Sequence, residues 1–540
     1  MRAARRLAAA ATVAALALGV SAAAAAAAAA PGPAAAPASR RASALDSSVG
    51  DASGRAAAGQ PAPARRRLPG GAPGSAGPLG RRGRSLDGLD GSVRALQTAP
   101  ARRRLLGAEP GNAGPAGSLR VAVAGDTART GYYSAELTVG SRPFTLVVDT
   151  GSAITFVPCG SCGPRCGPHS GAARVDLRGS PSAERVGCMS PTCQGFCDHA
   201  GACACSGLDL RPGYGVSSLA CTYSARYAEG SSTSGLLFRE TLRLGPAPAA
   251  PPPPQNPVAA QRTLLQVLGG GNDGNGAAPD RMRAAVGCTT FEEGELKTQD
   301  AAGILGLANN PVSVLAQLAE AGVVRNKFAL CLGAGGAEGS LVLGEAPGGL
   351  EDDPRVVWTP QRSFARNPGL YGVNLRGLGL GRNVLPLAGA AKEFVILDSG
   401  TTFLYLPSDL HHRFARQVLL QYDQAQTRLL VGREAARLRF ENHCFRVGYG
   451  FAEVGAHFPP LKLLVEGPGG ATATVELGAQ NYLFEHPTTS GVVCVGVLDN
   501  GPDGGVVLGG ITMADVLVMH DNENGRIGWL PRDCGALPQS

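Results

Sequence analysis

The chain is poor in aromatic residues, which make up 5% of its 540 residues, with two tryptophans, and it holds only four lysines against 45 arginines. So lopsided a ratio, alongside abundant Ala, Gly and Pro, is a genomic bias, and arginine content alone is discounted. No N-x-[ST] sequon occurs anywhere, so a secretory route would leave no N-glycan. No acidic residue precedes Asp46. No apolar tail follows Cys534, which argues against a C-terminal span or a glycolipid anchor. The run from Leu7 to Val20 is short for a membrane span, so no stable membrane anchor is expected.

What is present divides by charge. Residues 1–125 carry 17 of the 49 basic residues and five of the 42 acidic ones; the remainder holds 32 basic and 37 acidic residues. The larger part is mildly acidic, which excludes nucleic-acid binding as the reading of the whole. Gly (77) and Pro (40) are plentiful, as suits a β-rich, turn-rich protein with some unstructured sequence. Arg2, Arg5 and Arg6 lead into the Leu7–Val20 run and an alanine tract, so residues 1–30 read as a secretory signal peptide, with an organelle (plastid) transit peptide as the alternative. Residues 31–125 are low-complexity sequence in which Pro63-Ala64-Arg65-Arg66-Arg67-Leu68 recurs as Pro100-Ala101-Arg102-Arg103-Arg104-Leu105. Nine of the 14 cysteines crowd between Cys159 and Cys221, a density that behind an export signal means disulfides. Zinc ligation and thiol redox chemistry are the alternatives, and either needs reduced thiols.

Two stretches echo each other. Phe144-Thr145-Leu146-Val147-Val148 runs into Asp149-Thr150-Gly151-Ser152, and Phe394-Val395-Ile396-Leu397 runs into Asp398-Ser399-Gly400-Thr401. Each is a buried-strand pattern ending in Asp, hydroxyl, Gly, hydroxyl. The strand positions the carboxyl group, the hydroxyls can bond it, and the glycine permits close backbone approach. Each copy is followed later by an apolar-apolar-Gly element, Gly303-Ile304-Leu305-Gly306-Leu307 and Val506-Val507-Leu508-Gly509-Gly510, so the chain contains an internal duplication. Two carboxylates brought together cannot both ionise easily and would share a proton, the arrangement suited to general acid/base work.

With these motifs, residues 130 to 534 resemble the pepsin-like aspartic proteases, and the cysteine-rich block resembles that of their nepenthesin-like branch. The resemblance implies an all-β, bilobal fold of two related barrel-like lobes with a cleft between them. It implies an N-terminal lobe over 126–350 with a cysteine-rich insertion at 159–221, and a C-terminal lobe over 351–540. It implies an aspartic endopeptidase, monomeric, acting on protein or peptide substrates with Asp149 and Asp398 as catalytic residues and no metal or organic cofactor. Thr150, Ser152, Ser399 and Thr401 would support the carboxyl groups, while Gly151 and Gly400 would admit the substrate backbone. Tyr223 to Leu237 reads as strand, flexible tip and strand, the family's flap, with Tyr227 over the substrate. Residues 31–125 become a basic prosegment masking an acidic lobe pair, a zymogen device released by acid, and the compartment becomes extracellular or vacuolar (lytic). Relatives that keep the fold as inhibitors of glycan-degrading enzymes give the rival reading, a catalytically silent binding protein.

Several further expectations can be checked. Gly131 to Gly140 and Phe144 to Asp149 should form a hairpin, residues 245–280 a surface loop, Pro311 to Gly322 a short helix and Ser408 onward a longer one. Cys444 and Cys494 are the expected second-lobe disulfide. His411 and His412, adjacent on the longer helix, lack other ligands in the sequence and read as surface residues. Three positions depart from the family pattern. Phe156 replaces a tryptophan whose indole N–H would bond the flap tyrosine, so Tyr227 should be looser. Ala302 and Gly510 stand where acidic residues are frequent.

Overall fold

The computed structural model describes residues 117–169, 174–200, 203–206, 219–245, 282–364, 367–387, 395–438, 440 and 442–536. The signal pattern, almost all of the basic segment and almost all of the 245–280 loop lie outside the described residues. The rest is a predominantly β structure in one compact unit.

The first lobe is organised on a fifteen-stranded sheet. Strand Tyr132–Val139 pairs antiparallel with Arg142–Asp149, with Val139 opposite Arg142, so Gly140 and Ser141 alone make the turn. Gly140 sits at φ +63°, a conformation that favours glycine, and the expected hairpin forms there. Strand Leu119–Asp126 lies ahead of the expected start of the lobe at 126 and pairs with both Tyr132–Val139 and Gly339–Leu343. The sheet also recruits the end of the chain. Val516–Asp521 pairs with Lys327–Cys331, Arg526–Pro531 closes on Val516–Asp521, and Val357–Pro360 adds beyond it. The Cys331–Cys534 bridge fastens this junction, so strands from beyond residue 351 complete the sheet of the first lobe.

The second lobe contains a six-stranded sheet and two four-stranded sheets. Helix Ser408–Gln421 covers it with Leu410, Phe414 and Val418, spaced i, i+4, i+8 as in the sequence, and with Ala415 besides. The shorter helix is Val314–Glu320, beginning later than Pro311. Ser313 is its N-cap and accepts from the Ala316 N–H, and Gly322 at φ +73° follows its end.

All fourteen cysteines are paired. Cys162–Cys166, Cys188–Cys205, Cys193–Cys221 and Cys197–Cys203 staple the insertion internally, and Cys159–Cys288 ties its start to strand Met282–Glu293. The thiol-based zinc and redox readings therefore have no free thiol to work with. Cys444–Cys494 forms as expected. Bridges of this kind contribute roughly 2–4 kcal/mol each, chiefly by restricting the unfolded chain. Among the described residues no helix is long and apolar enough to cross a membrane.

Candidate active site

Each aspartate is held at the end of a strand by a parallel neighbour. Gly303–Gly306 runs beside Arg142–Asp149 with Gly306 opposite Asp149, and the Leu307 N–H bonds the Asp149 carbonyl at 2.9 Å. A Cβ on Gly306 would stand 2.8 Å from the Ser152 carbonyl oxygen, so only glycine lets this brace lie so close to the loop. The second lobe repeats the device. Val506–Leu508 runs parallel to Val395–Leu397, the Asp398 N–H bonds the Leu508 carbonyl at 3.1 Å, and the Gly510 N–H bonds the Thr401 carbonyl at 2.7 Å.

The two loops then lock onto each other. The Thr150 N–H donates to Ser399 Oγ and the Ser399 N–H donates to Thr150 Oγ1, both at 3.0 Å. Thr150 Oγ1 donates to the Leu397 carbonyl at 3.1 Å, and Ser399 Oγ to the Val148 carbonyl at 2.7 Å. Thr150 and Ser399 are fully buried, so the four bonds form out of competition with water. Their arrangement is a pseudo-twofold one, as a duplicated chain would produce.

The carboxyl groups are bonded alike. Asp149 Oδ1 accepts from the Gly151 N–H at 2.8 Å and its Oδ2 from Ser152 Oγ; Asp398 Oδ1 accepts from the Gly400 N–H at 3.0 Å and its Oδ2 from Thr401 Oγ1 at 2.7 Å. The glycines have a role beyond the expected one. A Cβ on Gly151 would lie 2.8 Å from Asp398 Oδ1, and one on Gly400 would lie 2.5 Å from Asp149 Oδ1. What each glycine admits is the carboxyl group of the opposite lobe, before any substrate arrives.

The pair is asymmetric. Asp149 is buried, whereas Asp398 is half-buried. Burial first, and the charge of Asp398 second, push the Asp149 carboxyl well above the usual range, to about 8, against the opposing pull of its bonds from Ser152 and Gly151. The two carboxyl groups open into a cleft of about 820 Å³.

The hairpin expected as the flap is formed by Ala220–Arg226 and Ser232–Leu244. Its tip turns through Tyr227 to Ser231, with Gly230 at φ +96° and a Gly230 N–H bond to the Tyr227 carbonyl at 3.1 Å. Tyr227 lines the cleft, with Ser152 and Asp149 near its hydroxyl. Burial and the nearby Asp149 raise the phenol further above its ordinary value. Ser152 donates to Asp149, so the hairpin tip stands over a residue that touches the carboxyl pair.

This bears on Phe156. Its ring is fully buried 6.1 Å from that of Tyr223, whose hydroxyl bonds Thr289 Oγ1 at 2.6 Å. Tyr227 packs against the same apolar cluster. Phe156 offers Tyr227 no hydrogen bond, as its side chain has no donor, and what holds the Tyr227 ring is this apolar packing. Ala302 is buried in the brace region, and Gly510 packs against the Tyr133 ring; neither touches the carboxyl groups.

Sequence reasoning did not assign Tyr132, Thr402, His199, Glu229 or Glu295 to the cleft, which they also line. Thr402 Oγ1 donates to the Gly131 carbonyl, joining the second loop to the first lobe. His199 comes from helix Pro191–Ala200 of the insertion, and its carbonyl accepts from Asn310 Nδ2 at 3.0 Å. Its only signal in the sequence is proximity to the clustered cysteines.

Residues 133–345 match the family model described as xylanase inhibitor N-terminal, and residues 370–531 match that described as xylanase inhibitor C-terminal. Aspartic proteinase 39 of Arabidopsis thaliana is 25% identical over 434 residues, covering 78% of each chain. Aspartic proteinase nepenthesin-2 of Nepenthes gracilis is 24% identical over 420 residues, covering 76% of this chain and 79% of its own. In fold, the chain is similar to basic 7S globulin from soybean, with a TM-score of 0.56 at 17% identity, over 79% of this chain and all of that one.

Proposed function

The chain belongs to the plant-type pepsin-like aspartic protease family, and from that premise we propose that it is an aspartic endopeptidase working at acidic pH through Asp149 and Asp398. The observation that carries this reading is the mutual approach of the two carboxyl groups across glycines that leave no room for a side chain, one carboxyl group being biased toward its protonated form.

The reaction follows from that asymmetry. Asp149, the more buried and the one whose carboxyl is raised, holds the shared proton, and Asp398 takes the part of the base. A water between them loses a proton to Asp398 as its oxygen attacks the peptide carbonyl carbon, while Asp149 donates to the carbonyl oxygen. The tetrahedral diol that results has one new C–O bond. In its collapse, Asp398 returns its proton to the leaving nitrogen, the C–N bond breaks, and Asp149 recovers a proton from a diol hydroxyl. Both carboxyl groups end as they began. Tyr227 closes the cleft from above and excludes water. Ser152 and Thr401 orient the carboxyl oxygens, and the Thr150–Ser399 lock holds their separation.

The prosegment belongs to the same proposal. The segment from residue 31 to the start of strand Leu119–Asp126 is basic and the folded part acidic, so protonation of carboxylates would loosen their contact as pH falls. Full activity of the purified proform at neutral pH, with residues 31–125 intact, would refute it. Entry into the secretory pathway through residues 1–30, toward an extracellular or vacuolar compartment, is proposed alongside.

The second reading is an inhibitory binding protein, favoured by the description of the matching family models. The intact pair of aspartate loops weighs against it. Acid-pH digestion of a denatured protein by wild type, with Asp149→Asn and Asp398→Asn as controls, separates the two.

A further inference from the structure

Helix Ser408–Gln421 carries His411 and His412 in its first turns, and the fold brings them the partner that the sequence leaves out. Strand Val497–Asp499 pairs in parallel with Leu404–Leu406, which leads directly into that helix, and so delivers Asp499 to the helix start. One ligand atom from each of His411, His412 and Asp499 lies within 4.8 Å of the others.

The surroundings of two of these residues prepare them for ligation. His411 Nε2 lies 3.1 Å from the Val497 carbonyl oxygen, which can only accept, so Nε2 carries the proton. Nδ1 then presents a bare lone pair, and it has no hydrogen-bond partner among the described residues. Asp499 Oδ1 is held by Ser408 Oγ at 2.7 Å and by the Gly501 N–H at 2.8 Å, which leaves Oδ2 for another partner. A histidine that gives its second nitrogen to a backbone carbonyl, beside a carboxylate anchored through one oxygen, is how proteins orient metal ligands. His412 and Asp499 are exposed, giving an ion a path from solvent.

We propose that His411, His412 and Asp499 form a binding site for a divalent transition metal of the zinc type, separate from the catalytic cleft. Two imidazoles and a carboxylate suit zinc, copper(II) or nickel(II), whereas calcium and magnesium take mostly oxygen ligands. Three protein ligands leave a fourth position for water. The bound ion would clamp the helix start to the end of strand Val497–Asp499, and peptide hydrolysis requires nothing from it.

The test is calorimetric titration of the full-length, disulfide-bonded protein with zinc at neutral pH, with thermal melts in parallel. Wild type should bind one zinc ion per chain and melt at a higher temperature when loaded. His412→Ala should bind roughly tenfold or more weakly while its zinc-free melting point stays that of wild type. Asp499→Asn should weaken binding in the same way, and calcium should produce no heat of binding at the same concentrations. Absence of saturable zinc binding by wild type, or undiminished affinity in the folded His412→Ala variant, would overturn the site.

Discussion

Replacing Asp149 with Asn should abolish proteolysis and yet make the protein more stable at neutral pH. The Asp149 carboxyl is raised from an ordinary 3.8 to about 8, mainly because the folded chain buries it and secondarily because Asp398 stands beside it. A raised acid binds its proton more tightly in the folded than in the unfolded state. Its stabilising contribution is therefore complete below the unfolded value near 4 and is lost as pH rises toward 8. At pH 7.5 the ceiling on that loss is ~5 kcal/mol, at about 1.4 kcal/mol for each pH unit crossed. Relaxation of the loops and water entry would reduce it to roughly half, a gain of about 2–3 kcal/mol for the neutral amide. For a folded unit of this size such a gain corresponds to a melting point higher by roughly 2–4 °C at pH 7.5. At pH 3.5 the two proteins should melt together, because Asp149 is protonated in both the folded and the unfolded wild type. Asp398→Asn removes only the smaller cause, so its gain at pH 7.5 should be smaller. Thermal melts at pH 3.5, 5.5 and 7.5 measure all of this. A difference between Asp149→Asn and wild type that does not change with pH, or that favours wild type at pH 7.5, would refute the reasoning.

The lock between the lobes should be costly to break: Thr150→Val leaves the Ser399 N–H and the Leu397 carbonyl buried without their bonds, for about 2–4 kcal/mol by urea unfolding. Ser399→Ala should cost a similar amount, and the double variant less than their sum, because both delete the same interlocked set. Tyr227→Phe keeps the ring but loses the hydroxyl beside Ser152 and Asp149, so kcat/KM should fall roughly tenfold with little change in melting point. Phe156→Trp should not improve on this: the site is fully buried, and the larger ring should destabilise by about 1–3 kcal/mol without raising kcat/KM. His520 is buried against Phe328 and Tyr371, and burial lowers its imidazole to about 3. A lowered base makes the fold lose stability as pH falls from its unfolded value near 6.5 toward 3. His520→Phe should therefore gain on wild type progressively over that window, and melts that stay parallel would contradict it.

Much of this was legible in the sequence because it is local. A strand ending in Asp-x-Gly declares its geometry within nine residues, and the repeated apolar-Gly braces declare the duplication. The helix at Ser408 showed through its 3.6-residue period. The pairings that give the site its chemistry are not local. Thr150 meets Ser399, and Gly151 meets Asp398, only because two lobes close on each other, and no spacing within either loop specifies that contact. The same holds for Tyr227, brought by its hairpin to the cleft that Asp149 and Ser152 line, and for Cys159 with Cys288, 129 positions apart. The placement of Val516–Asp521 in the first lobe's sheet was hidden for a different reason. Its buried strand pattern fits either lobe, and only the Lys327–Cys331 edge decides where it pairs. The approach of Asp499 to His411, 88 positions earlier, likewise has no mark in the sequence.

The central claim is that two carboxyl groups in this cleft hydrolyse peptide bonds. Its most direct measurement is the release of peptides from an acid-denatured protein between pH 3 and pH 6, by the full-length chain after acid treatment. Wild type should cleave, and Asp149→Asn and Asp398→Asn should each be inactive while melting cooperatively. An inactive but folded wild type, or cleavage that survives both substitutions, would contradict the account.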